Sequence, residues 1–212
     1  MILQSLARYY DILAQDPDSG IAPPGYSTVG VSYSLNLSLS GELVDIFTEI
    51  HSEPRGKKSF DVPRAMILPE QVKRAGISPT PNFLWDNSAF VLGLTDKEAV
   101  DPEYGVKRFQ AFRQHNMNLL AQADCAAARA VLAFLERYDP LIGRDHPVIF
   151  RHLEDLLKGG NLVFKYEGGA YIHNDPVIKQ VWEVYKAGKD AVIGQCLVTG
   201  ETAPIARLHA SL

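Results

Sequence analysis

The sequence predicts an α+β fold, with strands gathered in the first half and helices in the second. Three observations carry that expectation. Apolar residues alternate with small polar ones from Val29 to Leu39, turn signals such as Ser40-Gly41 separate successive strands, and from about position 104 the apolar spacing becomes helical. Strands and helices that are segregated rather than interleaved argue for α+β over a wound parallel sheet. The expected layout is one domain over 1–212. Residues 1–103 are expected to form mainly an antiparallel β-meander. Residues 104–212 are expected to be mainly helical, with a late hairpin and a small β element.

The elements follow in order. Ile2, Leu6, Tyr9 and Leu13 fall on one face of an N-terminal amphipathic helix, which stops in the breakers Asp16-Pro17-Asp18-Ser19-Gly20. Val29, Val31, Tyr33, Leu35, Leu37 and Leu39 predict one long strand, and Leu43 to Ile50 its partner across the turn. Phe60 to Leu68 is a third strand, placed at a sheet edge because Pro63 cannot donate to a ladder. The segment Glu53 to Ser59 then becomes a basic hairpin tip.

Three helices are expected next: one marked by Val106, Phe109, Phe112, Asn116 and Leu120, one by Val131, Leu132, Leu135 and Tyr138, and one by Ile149, Leu153, Leu156 and Leu157. A hairpin runs from Leu162 to His173 through Glu167-Gly168-Gly169. Asp175-Pro176 caps a helix carrying Ile178, Val181, Trp182 and Tyr185, and a strand spans Ala191 to Val198.

Composition narrows the function classes. The 212 residues are 46% hydrophobic and 22% charged, an ordinary globular balance. No apolar run approaches the ~20 residues that span a bilayer. Two distant cysteines give no disulfide framework, and a cytoplasmic protein is the expectation. The net charge of −4 is unevenly spread. Positions 55–74, with Arg55, Lys57, Lys58, Arg64, Lys73 and Arg74 against Asp61 and Glu70, carry +4 and leave −8 to the remainder. Such a basic island on an acidic body localises a polyanion, or is simply a solvated loop.

Catalytic constellations are weak. Asp145, His146, His152 and Asp155 lie close together, but the two histidines stand six apart rather than at the i, i+4 spacing of a helical metal pair. Glu70 and Lys73 have no acidic partner at nuclease spacing. Cys196 with Thr199-Gly200 is half a zinc knuckle without its second half, Ser88 has no assignable base, and no phosphate-binding glycine loop is present. Catalytic residues, a metal and cofactors are therefore not expected. In the run Asn82-Phe83-Leu84-Trp85-Asp86-Asn87, the aromatics fit a core. Its asparagines either cap turns and a helix or read base edges.

That run is one of three blocks carrying a resemblance. The others are Gly20-Ile21-Ala22-Pro23-Pro24-Gly25-Tyr26-Ser27, and Cys196-Leu197-Val198-Thr199-Gly200-Glu201 with Ala203-Pro204-Ile205-Ala206-Arg207-Leu208-His209. In this order, across nearly the whole chain, they resemble the large subunit of the type I-C CRISPR Cascade complex, the Csd-type family. The resemblance implies the N-terminal portion of a longer subunit, whose relatives continue after the histidine with a proline and a lysine-glycine motif where Ala210-Ser211-Leu212 stand here.

It also implies a non-catalytic subunit of an RNA-guided surveillance complex. Such a subunit recognises the protospacer-adjacent motif, binds target double-stranded DNA and starts strand separation in antiviral defence. Its partners are the CRISPR RNA, other Cascade subunits and a recruited helicase-nuclease, with no membrane. The alternative is an assembly scaffold that binds neighbouring subunits and the guide-RNA 5′ handle without reading DNA. Under the first reading Arg55, Lys57 and Lys58 neutralise phosphates, seconded by Lys73 and Arg74. Gly56, Asn82 and Asn87 are the candidates for base edges, and Phe60 for a wedge at the tip.

Overall fold

A computed structural model describes residues 2–16, 19–74, 78–97, 101, 103–166, 169–188, 192–198 and 200–204. The α+β expectation holds. Strands β1 (Tyr26–Val31), β2 (Tyr33–Leu37), β3 (Leu43–Thr48), β4 (Ile50–Arg55) and β5 (Lys58–Pro69) precede β6 (Trp85–Asn87) and the short helix α2 (Ser88–Val91). Helices α3 (Tyr104–Leu120), α4 (Ala126–Arg137), α5 (Pro147–Phe150) and α6 (Leu153–Leu157) follow. Strands β7 (Asn161–Tyr166) and β8 (Ala170–Tyr171) and helix α7 (Pro176–Gly188) come next, and β9 (Ile193–Gln195) pairs with β10 (Thr202–Pro204). Helix α1 (Ile2–Gln15) opens the chain.

The long strand divides at Ser32. Its period-two pattern continues through the break, so the side chains give no sign of it; the change is in the partners. Tyr33 to Leu37 pair with β3 on one side and, in parallel, with β7 on the other, in a five-stranded sheet of order β3-β2-β7-β6 with β8 beside β7. Residues before Ser32 pair instead with the second half of β5. The expected meander is thus confined to adjacent strands, and the main sheet is mixed. Pro63 is not on an edge. Strand β5 lies between β1 and β4, and Pro63 sits where it changes partner from one to the other. A residue without an N–H is tolerated at such a changeover.

The main sheet has two covered faces, which is the period-two rule at work. Tyr33, Leu35, Leu37, Leu162 and Phe164 face the helices and share a core with Phe109 and Phe112 of α3, Val131 and Phe134 of α4, and Ile178 and Trp182 of α7. Val163 and Trp85 face the other way, against Val29, Val31, Met66 and Leu68 of the three-stranded sheet. The β2–β3 turn needs Gly41, whose φ is +79° and whose Cβ would come within 2.6 Å of the α4 backbone.

Other expectations are adjusted locally. The third helix is broken into α5 and α6, and β8 passes at once into a 3₁₀ turn at Ile172–Asn174. Asp175 caps α7 as expected, accepting from Val177 and Ile178 N–H. Strand β9 is shorter than the expected Ala191 to Val198. Ala191, Thr199, Glu167, Gly168 and positions 205–209 lie outside the described residues. The apolar stripe of α1 forms, but Ile2, Leu6 and Tyr9 are exposed rather than buried.

Candidate nucleic-acid interface

Strands β4 and β5 extend past the sheets as a two-stranded ribbon. The ladder runs from Ile50↔Pro63 to Arg55↔Lys58, closed by a two-residue turn at Gly56-Lys57. Gly56 has φ +67°, as the first position of a primed hairpin turn requires, with open space around it. Residues 51–65 are exposed or half-buried wherever their side chains are described, so neither ribbon face belongs to a core. Six residue pairs at ~3.4 Å each give the ribbon a length of about 20 Å.

Alternation sorts the side chains. Lys58, Phe60, Val62 and Arg64 of β5 share one face with His51 and Glu53 of β4, the histidine and glutamate paired at 2.9 Å. The opposite face carries Ser52 and Ser59, bonded to each other at 2.6 Å, with Pro54 and Asp61. Lys57 and Lys58 are exposed at the tip, and Phe60 is exposed on the ribbon rather than packed in a core. Arg55 is described by its backbone alone, opposite Lys58.

Glu49 marks the root of the ribbon, between β3 and β4. Its side chain is 6% exposed, and it gathers four strands. Ser34 donates to Oε1 at 2.7 Å, Lys165 Nζ stands 3.4 Å from the same oxygen, and Arg64 Nη1 donates to Oε2 at 3.4 Å. Arg64 Nη1 also donates to the Tyr171 hydroxyl at 3.2 Å, and the Lys165 ammonium lies 4.3 Å from that ring's centre. Burial raises the Glu49 carboxyl, yet the bonds from Ser34 and Tyr171 and the Lys165 charge outweigh it and hold the pKa below its ordinary value.

The Asn82–Asn87 run forms a buried turn. Asn82 is 1% exposed, and its Oδ1 accepts from Val72 N–H at 2.9 Å. Asp86 accepts from Asn82 N–H and Asn87 N–H, and is ion-paired with Arg74. Burial raises the Asp86 carboxyl, against the opposing pull of Arg74 and the two backbone bonds. Arg74 also donates to Thr80 O at 2.9 Å and lies 4.2 Å over the Phe90 ring. Asn87 caps α2 through Ala89 and Phe90 N–H. Leu84 carries a positive φ of 63°, and its N–H is held by Asn116 Oδ1 at 2.7 Å.

The candidates therefore fall in two places. Gly56, Lys57, Lys58 and Phe60 lie on the ribbon. Arg74, Asn82 and Asn87 build the buried turn, with Lys73 exposed beside Arg74. Sequence reasoning passed over Glu49, Lys165 and Tyr171, which are far apart in the chain and share no motif. Asn82→Ala is expected to cost about 1–2 kcal/mol, because Val72 N–H loses its acceptor. Chemical denaturation checks this; an altered DNA sequence preference at unchanged stability would give Asn82 a direct role instead.

The weak catalytic constellations stay dispersed. His146 caps α5 through Nδ1, Asp155 pairs with Lys158, and Glu70 pairs with Lys186. Among the described residues no group of three or more His, Cys, Asp or Glu is arranged to hold a metal, and no helix is long and apolar enough to cross a membrane.

A basic ribbon at one end of β5, with the Asn82–Asn87 turn packed at its other end beside Pro69 and Val72, meets a family-level finding. The Cas_Csd1 family model, described as CRISPR-associated protein (Cas_Csd1), matches residues 6–212. The chain belongs to the Cas_Csd1 family. No curated protein matches it. Membership makes this Cas_Csd1 chain a CRISPR-associated, Cascade-type subunit that works with other Cas proteins in antiviral defence.

Proposed function

We propose that the β4–β5 ribbon of this Cas_Csd1 chain engages target duplex DNA. On this reading the subunit recognises the protospacer-adjacent motif and starts strand separation within a type I-C complex, and does no chemistry itself. The observation that carries the proposal is the ribbon, exposed on both faces, tipped by Gly56, Lys57 and Lys58, with Phe60 two residues behind. A two-stranded ribbon fits a major groove about 12 Å wide. Lysines at its tip neutralise phosphates, and an exposed phenylalanine is the type of wedge that unstacks a base step at a cost of a few kcal/mol. Sequence is then read mostly by guide pairing, with the CRISPR RNA and neighbouring subunits as partners and a separate helicase-nuclease doing the cutting. Arg74, Asn82 and Asn87 build the turn at the other end of β5 and are outside the contact on this reading.

The double variant Lys57→Ala/Lys58→Ala, in the assembled complex, is expected to weaken duplex binding for every sequence. It should also flatten the slope of log K against log salt by about 1.8. Unchanged affinity and slope would remove the tip from the interface. The scaffold reading, in which the chain holds neighbouring subunits and the guide-RNA handle without reading DNA, is favoured by the exposed Ile2, Leu6 and Tyr9 of α1. It predicts that the tip variant leaves DNA binding intact, while charged substitutions on α1 release the chain from the complex.

A further inference from the structure

The root cluster has a property beyond holding the ribbon in place. Both bonds from Arg64 leave through Nη1, one to Glu49 and one to the Tyr171 hydroxyl. Among the described residues, Nε and Nη2 have no partner. These two nitrogens form the side-on edge of the guanidinium, whose parallel N–H groups match a carboxylate or phosphate in two-point contact. The side chain as a whole is 58% exposed, which leaves it accessible to a second partner. The tether matters as well. A guanidinium already held at one nitrogen, with its Cζ 5.9 Å from the Tyr171 ring centre, has surrendered part of the rotamer freedom that binding would otherwise cost. Finally, Arg64 and Lys165 share one carboxylate between them, so the cluster keeps a positive charge.

We infer that Arg64 is a phosphate-binding residue at the root of the ribbon, its fork presented by Glu49 and Tyr171 to a phosphodiester of the duplex lying along the ribbon. The inference rests on the proposed engagement of duplex DNA by the ribbon and extends it. Lys58 and Arg64 occupy the same face of β5, six residues apart, which is about 20 Å of strand. A duplex contacted at both points is held along about six base pairs rather than touched at the tip alone. Phe60 lies between the two cations, where a step held from both ends can be opened.

The test uses the assembled complex and a fluorescein-labelled DNA duplex, with affinity followed against salt for three variants. Arg64→Ala should lower affinity about tenfold and flatten the salt slope by about one contact. Arg64→Lys keeps the charge and a partner for Glu49 but loses the fork; it should retain the slope and lose about threefold or more in affinity. Lys57→Ala/Lys58→Ala reports on the tip separately. A tip effect with wild-type behaviour in both Arg64 variants overturns the inference and leaves the ribbon reading standing. No effect in any of the three overturns both. Arg64→Lys guards against misfolding of the alanine variant: wild-type affinity in a folded Arg64→Lys shows that the fork does nothing. A loss of guide RNA rather than duplex from the Arg64 variants would assign the phosphate to the RNA and overturn the DNA contact.

Discussion

Arg74→Ala is expected to destabilise the protein by roughly 2–3 kcal/mol, because it strips the buried Asp86 carboxylate of its half-exposed cation. Asp86 is 2% exposed, and Arg74 is its ion-pair partner. Without the guanidinium, the carboxylate must either remain charged in a dry turn or take up a proton, and both options cost free energy. The arginine also holds Thr80 O and covers Phe90, so the loop between β5 and β6 loses three attachments at once. Chemical denaturation measures the loss. Arg74→Ala/Asp86→Ala should recover a large part of it, because neither charge is then left alone. A wild-type midpoint for Arg74→Ala, accompanied by weaker DNA binding, would instead place Arg74 on the interface.

Arg74 illustrates what the sequence discloses and what it withholds. Its position in a basic window is plain from composition, but its partner twelve residues on is not, because pairing depends on how the loop closes. Asn87 was half legible: an Asx residue before a helix either caps it or is free to read a base edge, and here it caps. The helical stripes of α3 and α7 were legible for the same reason, since periodicity reports local geometry. The break at Ser32 was not, because a strand can exchange neighbours without altering which side chains point inward. The parallel pairing of β2 with β7 joins residues more than a hundred apart and leaves no local mark.

The same limit applies to the site. A hairpin tip follows from two strands and a turn, so Gly56 and Lys57 could be placed in advance. The root could not. Glu49 reads as one acidic residue at the end of a strand, and only the fold brings Ser34, Arg64, Lys165 and Tyr171 to it. The division is physical. Local chemistry sets the ribbon's shape, and long-range packing sets the point from which it springs.

Acidification should reach that point through His173. Its side chain is buried in the 3₁₀ turn after β8, Nδ1 has no hydrogen-bond partner among the described residues, and the Tyr171 ring lies 5.4 Å away. Burial, with a smaller contribution from the Lys179 charge, lowers its pKa from 6.5 to about 4. A base whose pKa is lower in the folded state than in the unfolded one binds fewer protons when folded, so stability falls as the pH drops. The loss begins near 6.5, grows towards 4, and amounts to about 3 kcal/mol once both states are protonated. Glu49 acts in a different window. Its folded pKa lies below 4.5, so its contribution is intact above that value and is lost only at lower pH. His173→Phe, which cannot take up a proton, should therefore abolish the decline between pH 6.5 and about 4.5 and leave the steeper loss below it. Urea melts across that range separate the two; an unchanged decline in the variant would assign it to other groups. Since Tyr171 packs on His173 and accepts from Arg64, protonation in that turn should also loosen the ribbon's root before the rest of the fold gives way.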